Sequence, residues 1–382
     1  MPDVRMPSHR LALSGTACVL AIAGLTACGN EKGSSGGGGK TVAVTLGAKE
    51  CEPANLKAAA GPSTFEIKND GKGKLNEMEV LKGSLILAER ENITEGLTGK
   101  FSLNLKPGTY DISCNDGSNH DATGKLKVTG TATATKADAE LDRAAQQYST
   151  YVEGQTGKLV KATKVFAAAV RSGDVARAKA TYEPARVYYE RVEPVAESFG
   201  DLDPRIDARI NDVEEGQKWT GFHPIERALY QRDTLEGTAP LAKGLVANVE
   251  ELQTKVKGAE YEPTQLANGA VELLNEVSKS KITGEEERYS HTDLTDFKAN
   301  VDGAQAAFDL LKPALLKRDA ALAKKVSARF AALNRELEPF REKGDIYENY
   351  SKLDQAKRRK LSQAVDALAL PLAQVGGKIV GE

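Results

Sequence analysis

Apolar and polar residues alternate with a period of two from about residue 41 to residue 130, then switch to intervals of three and four for the rest of the chain. The first pattern predicts strands, because successive side chains of a strand face opposite ways. It is clearest in Thr41-Val-Ala-Val-Thr-Leu46, and in Ser63-Thr-Phe-Glu-Ile-Lys68, which ends at the turn Asn69-Asp70-Gly71. Glu77–Leu81, Gly99–Leu105, Gly108–Ser113 and Lys125–Thr129 continue it, and Lys106-Pro107-Gly108 supplies a turn between two of them. Six or more short strands at this spacing predict a small β-sandwich over residues 41–130. The second pattern, as in Leu141, Ala144, Ala145, Tyr148 and Leu159, Ala162, Val165, Phe166, predicts amphipathic helices. Pro and Gly fall mostly at joints such as Ser172-Gly173-Asp174 and Gly200-Asp201, so residues 136–382 read as an all-α helical bundle with no further strands.

The first 40 residues follow neither pattern. Arg5, His9 and Arg10 precede the apolar run Leu11–Leu25, which Ser14, Gly15, Thr16 and Gly24 interrupt. That layout predicts a secretory signal over residues 1–27 rather than a membrane span. Leu25-Thr26-Ala27-Cys28-Gly29 resembles a lipobox, which makes Cys28 the expected lipidation site. The Gly/Ser-rich residues 28–40 then read as a flexible tether. The expected location is the cell membrane, lipid-anchored, on its extracytoplasmic face.

Charge and composition narrow the chemistry. Residues 28–130 carry 13 basic and 13 acidic side chains, and residues 131–382 carry 37 and 40. Neither part has the basic excess that phosphate contacts require, so no nucleic-acid partner is expected. Apart from Cys18 and Cys28, only Cys51 and Cys114 remain for a folded body, and the histidines beyond His9 are His120, His223 and His291. Any metal site must rely heavily on carboxylates.

In the β part, a thiolate at Cys114 on a late loop is where a cupredoxin places a ligand. A blue-copper centre needs two histidines, a cysteine and usually a methionine, and this region offers only His120 and Met78. A shell of Cys51 and Cys114 with carboxylates, chiefly Glu77 and Glu79 on one strand face, is one expectation; a Cys51–Cys114 disulfide is the other. His120 sits in a polar loop, where a solvated side chain is the simpler reading.

Three acidic clusters stand out in the helical part. Glu190 and Glu193 are three apart, which predicts one shared helix face, and Asp207 lies one turn into a following helix. His223-Pro-Ile-Glu226 places an imidazole and a carboxylate at i and i+3, a spacing that chelates one ion. Pro224 marks this pair as a helix start. Glu285–Glu287 with His291, Asp293 and Asp296 forms the third. Glu pairs on surface helices are usually just solvated, and His-x-x-Glu alone is weak. Its neighbours Trp219 and Phe222 strengthen it, because apolar flanks make paired carboxylates costly without a cation.

The string Trp219-Thr-Gly-Phe-His-Pro-Ile-Glu-Arg-Ala-Leu229 resembles the signature of the EfeO/imelysin family, and Tyr289–Ala304 resembles its second block. Cys51-Glu-Pro53, Glu77–Gly83, Glu89–Ile93 and Pro107–Cys114 are similar to the cupredoxin-like module of the longer EfeO proteins. The resemblance implies a cupredoxin-like β-sandwich followed by an imelysin-like bundle. It implies a non-enzymatic, iron-binding role in elemental iron uptake, with a membrane iron permease and a haem-dependent dye-decolourising-type peroxidase as partners. It maps a helical metal site onto Glu190, Glu193, Asp207, His223 and Glu226, with Glu287 added, and a β-domain site onto Cys51, Glu77 and Cys114. The expected ion is ferrous or ferric iron, with copper or zinc also admitted in the β part.

Two other readings compete. A metallopeptidase would need two zinc ligands and a base, and His-Glu-x-x-His is absent from the helices. A polysaccharide-binding protein would stack sugars on aromatics, for which Tyr188, Tyr189, Trp219, Phe222 and Tyr230 are the available platforms.

Overall fold

The computed structural model describes residues 40–83, 85–116, 123–131, 136–213, 215–279 and 281–381. The signal, residues 28–39 of the tether with Cys28, and His120 lie outside them, and Lys40, read as the end of the tether, is the first residue of a strand.

Nine strands come first. β1 (Lys40–Leu46), β2 (Cys51–Glu52), β3 (Asn55–Ala59), β4 (Gly61–Asn69) and β5 (Glu77–Lys82) are followed by β6 (Leu85–Arg90), β7 (Thr98–Leu105), β8 (Gly108–Asn115) and β9 (Gly124–Thr129). They form two sheets, ordered β2-β1-β4-β7 and β3-β9-β8-β5-β6. Pairs β1–β4 and β3–β9 are parallel and the others antiparallel. Alternation along β4 buries Phe65 and Ile67 completely, and Phe65 stacks on Phe101 of β7 at 4.9 Å between ring centroids. The predicted turn at Asn69 is present as an Asx turn, with Gly71 N–H donating to Asn69 Oδ1 at 2.9 Å. Strands β3 and β6 were not legible in the pattern. β3 is short and alanine-rich, and β6 buries residues of both faces.

Helices follow: α1 (Lys136–Ser172), α2 (Val175–Glu190), α3 (Glu193–Glu197), α4 (Leu202–Asp207), α5 (His223–Glu226), α6 (Ala239–Val256), α7 (Pro263–Lys279), α8 (Asp293–Arg318), α9 (Ala320–Leu337), α10 (Gln355–Leu372) and α11 (Val375–Val380). Asp174 at the predicted joint caps α2 by accepting from Arg177 N–H at 2.9 Å. The apolar faces meet in one core that runs from Leu141 to Ile379. Val165 departs from the predicted face and is 45% exposed. One short hairpin, β10 (Arg341–Lys343) with β11 (Ile346–Tyr347), corrects the expectation that strands end before residue 131. No helix among the described residues is long and apolar enough to cross a membrane.

The five-stranded sheet and β7 rest against the helices. Ile86 N–H donates to Ser198 O at 3.0 Å, Asn268 Nδ2 donates to Ser102 O at 3.2 Å, and Arg90 pairs with Glu272 at 3.1 Å. This seam brings one face of β5 and β6 up to α3 and α4.

Candidate metal centre

Four pieces of chain converge beneath that seam: the end of α2, the α3–α4 segment, α5, and the loop from Lys281 into α8. Gly221 sets the approach of α5. Its φ of +92° is one that other residues resist, and a Cβ there would lie 2.1 Å from Ile206 O. The bare backbone lets Phe222 N–H reach Ile206 O at 2.8 Å. Trp219 anchors the same segment through Nε1 to Ala208 O at 2.7 Å. His223 therefore opens α5 beside Asp207, the last residue of α4. Pro224 sits in the first turn, as the helix-start reading requires.

His223 is 2% exposed. Its Nδ1 lies 3.0 Å from Glu226 Oε2. Its Nε2 has no hydrogen-bond partner, and stands 3.5 Å from Asp207 Oδ1 and 3.8 Å from Glu286 Oε1. Glu226 Oε1 accepts from Tyr289 N, Ser290 N and Ser290 Oγ at 2.8, 2.8 and 3.0 Å. Glu287 Oε1 accepts from Tyr182 OH at 3.0 Å, and its Oε2 from Ser290 Oγ at 2.5 Å and Thr292 Oγ1 at 3.0 Å. Two overlapping triads result, Asp207–His223–Glu286 and His223–Glu226–Glu287, each with potential ligand atoms within 4.8 Å of one another. The donors are oxygens and one imidazole, which suits a hard or borderline ion.

Beside the triads lies an unexpected feature. Arg186, fully buried, sits among Glu190, Asp207, Glu287 and Asp296. Its Nε is 2.7 Å from Glu287 Oε1 and 2.8 Å from Asp296 Oδ2, while Glu190 and Asp207 also contact it closely. Its guanidinium lies 5.3 Å from the centre of the Phe222 ring. Lys281, also fully buried, lies 3.1 Å from Glu190 and 3.3 Å from Glu193. Asn300 Nδ2 donates to both glutamates, at 3.1 and 2.9 Å. Seven buried carboxylates thus face three buried basic side chains.

The electrostatics follow from that imbalance. Burial, then the Glu226 charge, pushes Glu287 up to about 8. Burial raises Asp293 to about 7. Burial is also the largest influence on Glu286, pushing it upward. Lys281, His223 and Arg209 outweigh it and hold that carboxyl well below the usual range. For His223 burial alone favours the neutral ring, but Asp207, Glu226 and Glu286 hold its pKa well above normal. The site binds protons where it lacks cations.

The helical residues expected from the sequence thus fall into one cluster, in two groups. Asp207, His223, Glu226 and Glu287 form the triads, whereas Glu190 and Glu193 face Lys281. Glu190 and Glu193 do not share a helix face: one ends α2 and the other begins α3, and Lys281 and Asn300 gather them across the break. Arg186, Lys281 and Asn300 were missed, and Glu286 stood in the third acidic cluster without being assigned as a ligand. Arg186 had a signal, lying four residues before Glu190, but Lys281 had none.

Of the two expectations for the β part the disulfide is the one present, and the thiolate metal shell is corrected. Cys51 and Cys114 form a disulfide that ties β2 of one sheet to β8 of the other, so neither sulfur is a thiolate ligand. Register separates them from the glutamate as well. Cys114 is opposite Met78, while Glu77 is opposite Asn115, and cross-strand partners share a face. Cys114 therefore lies in the sandwich core, and Glu77 and Glu79 lie on the outer face of the sheet. The grouping found instead is Glu77, Glu89 and Glu91. The copper or zinc expectation loses its sulfur ligands with it. Of the aromatic platforms for sugars, Tyr189 and Phe222 are fully buried, with ring centres 6.4 Å apart, and cannot stack on a ligand.

Comparison with known proteins agrees with this architecture. The imelysin (peptidase M75) family model matches residues 144–375, and the cupredoxin-like domain model matches residues 17–128. Proteins named iron uptake system component EfeO match over 343 residues, 88% of this chain and 90% of theirs. Those of Escherichia coli O1:K1 and Escherichia coli K12 are 44% and 43% identical. An imelysin-like protein from Psychrobacter arcticum 273-4, 11% identical, covers 63% of this chain and 95% of its own, with a TM-score of 0.48. On the extent and identity of the EfeO matches and the two family models, the chain belongs to the EfeO family, with a cupredoxin-like β part and an imelysin-like helical part.

Proposed function

We propose that this protein is an extracytoplasmic, lipid-anchored, iron-binding component of an iron uptake system, and not an enzyme. It captures ferrous or ferric iron and passes it to a membrane permease, in a system that also contains a haem-dependent dye-decolourising-type peroxidase. The observation that carries this reading is the pair of overlapping buried triads around one imidazole, Asp207–His223–Glu286 and His223–Glu226–Glu287, each with potential ligand atoms within 4.8 Å of one another. Buried carboxylates gathered this closely repel one another, and a cation that displaces the His223 proton neutralises them while the imidazole becomes a ligand. The relatives' name, iron uptake system component, supplies the identity of the cation. Oxygen ligands with a single imidazole hold iron without the thiolates that would retain a softer ion, which suits capture followed by release. Lipidation at Cys28 would concentrate the protein beside its permease, so that modest affinity suffices.

Calorimetric titration of the soluble chain with ferrous ion under anaerobic conditions, and with ferric ion buffered by citrate, tests the reading. Binding should be lost in His223→Ala and in Glu226→Gln. Wild-type protein that takes up neither ion would sink it.

A further inference from the structure

A cleft of about 260 Å³ opens between the outer face of β5–β6 and the α3–α4 layer. Eleven of its seventeen lining residues are carboxylates, and Arg209 is the only base among them, already paired with Asp212 at 2.7 Å and Glu286 at 3.1 Å. On the sheet side, Glu77, Glu89 and Glu91 present oxygens within 4.8 Å of one another. Glu77 is 3% exposed, and its Oε1 has no hydrogen-bond partner. On the helical side stand Glu197 and Asp203. The two sides act on each other electrostatically: the Glu91 and Glu89 charges both bear on Glu197, and Asp203 bears on Glu89. The cleft ends at Asp207 and Glu286, the outer edge of the His223 cluster.

We propose that this cleft is a second cation site, in which Glu77, Glu89 and Glu91 of the sheet and Glu197 and Asp203 of the helical layer hold one hydrated polyvalent cation, and that this ion ties the two parts of the chain together. It deepens the iron-binding reading and rests on it for the ion's role as cargo. The chemistry is oxygen-only, without imidazole or thiolate, so the class of ion is hard: iron, or calcium from the surroundings. The cleft is roomy enough for an ion that keeps some of its water, since about 10–15 Å³ of such space already admits one water molecule. Carboxylates in such number repel one another across the seam unless a cation lies between them. A buried oxygen without a donor, as at Glu77, is the position a cation satisfies. An ion held here would stand at the entrance to the His223 cluster, one carboxylate exchange away from it through Glu286.

The test is the stoichiometry of ferrous ion, titrated anaerobically into the full chain and repeated with calcium. Four proteins are compared: wild type, Glu89→Gln/Glu91→Gln, Glu197→Gln/Asp203→Asn, and His223→Ala. The amide substitutions reduce repulsion, so folding is not put at risk. Wild type should bind two ferrous ions and each variant one. Calcium should bind once to wild type and to His223→Ala, and not to either cleft variant. Ion binding should also slow hydrogen exchange at Ile86, whose N–H crosses the seam to Ser198, in every protein except the two cleft variants. A single ferrous ion in wild type, abolished by His223→Ala and untouched by the cleft variants, overturns the cleft site and leaves the functional reading intact. An ion lost only in the cleft variants does the reverse. An ion lost with Glu89 and Glu91 but retained in Glu197→Gln/Asp203→Asn overturns the shared, bridging character. Wild type that binds no ion overturns both.

Discussion

At the scale of the residue, Arg186 is a resident counter-cation for the carboxylates that surround it. A buried charge whose partner is removed costs about 3–5 kcal/mol, because the remaining groups are left desolvated and unpaired. Arg186→Met should therefore destabilise the metal-free protein by about that amount. Part of the loss should return on adding ferrous ion, which a urea titration with and without the ion would detect. Protonation gives a second prediction. The Glu287 carboxyl binds its proton more tightly folded, with a pKa of about 8, than unfolded, where glutamate titrates near its ordinary value. Its contribution to stability is thus complete below the unfolded value and is lost as pH rises toward 8. Asp293, raised to about 7, has the same sign, whereas Glu286, held below the usual range, has the opposite one and is present at neutral pH. Metal-free protein should lose stability between roughly pH 5 and 8. Iron binding should flatten that loss by displacing the protons, and calorimetry in buffers of different ionisation enthalpy would register the protons released.

At the scale of the element, what matters is how short helices are aimed. α4 and α5 contain six and four residues, too few to be stable alone, and their directions are set by contacts rather than by helix propensity. Gly221 is the position on which their alignment turns. Gly221→Ala meets both the left-handed φ and the Ile206 carbonyl. The cost should be about 1–3 kcal/mol for the backbone conformation alone. His223 would be displaced with it, so iron affinity should fall further than in a variant of equal stability elsewhere, such as a core substitution in α9. Matched melting temperatures with unmatched affinities would show this. Equal losses of affinity would mean that Gly221 acts only through global stability.

At the scale of the whole molecule, the disulfide and the iron site are separable. The Cys51–Cys114 bond closes a loop with a sequence separation of 63 inside the β part. Removing a bond of this kind typically costs about 2–5 kcal/mol. Cys51→Ala/Cys114→Ala should lower the melting temperature of the β part while leaving His223-dependent iron binding unchanged. A parallel fall in that binding would return the cysteines to the metal chemistry, against the register that faces Cys114 away from Glu77. The seam between the parts carries both ordinary contacts, such as Asn268 to Ser102, and the acidic cleft, so its strength should depend on cations as well as packing.

The sequence by itself determined the strand class of β1, β4, β5, β7, β8 and β9 and, the β10–β11 hairpin excepted, the helical class of the chain from residue 136 onward. Alternation in β4 and three-to-four spacing in α1 are local properties of a chain that must bury one face, and folding keeps them, apart from the exposed Val165. It also exposed the His223-Pro-Ile-Glu226 pair, because a spacing within one helical turn is itself local. What it could not carry was convergence. Glu193 and Lys281 are far apart in the chain, as are Arg186 and Asp296, and their meeting depends on how α2, α3 and α8 cross. The fate of the cysteines was likewise a question of register: one residue along β5 decides whether a side chain faces the sandwich core or the helices. The family resemblance grouped Glu77 with Cys114 in one site, and the pleat puts them on opposite faces of one sheet.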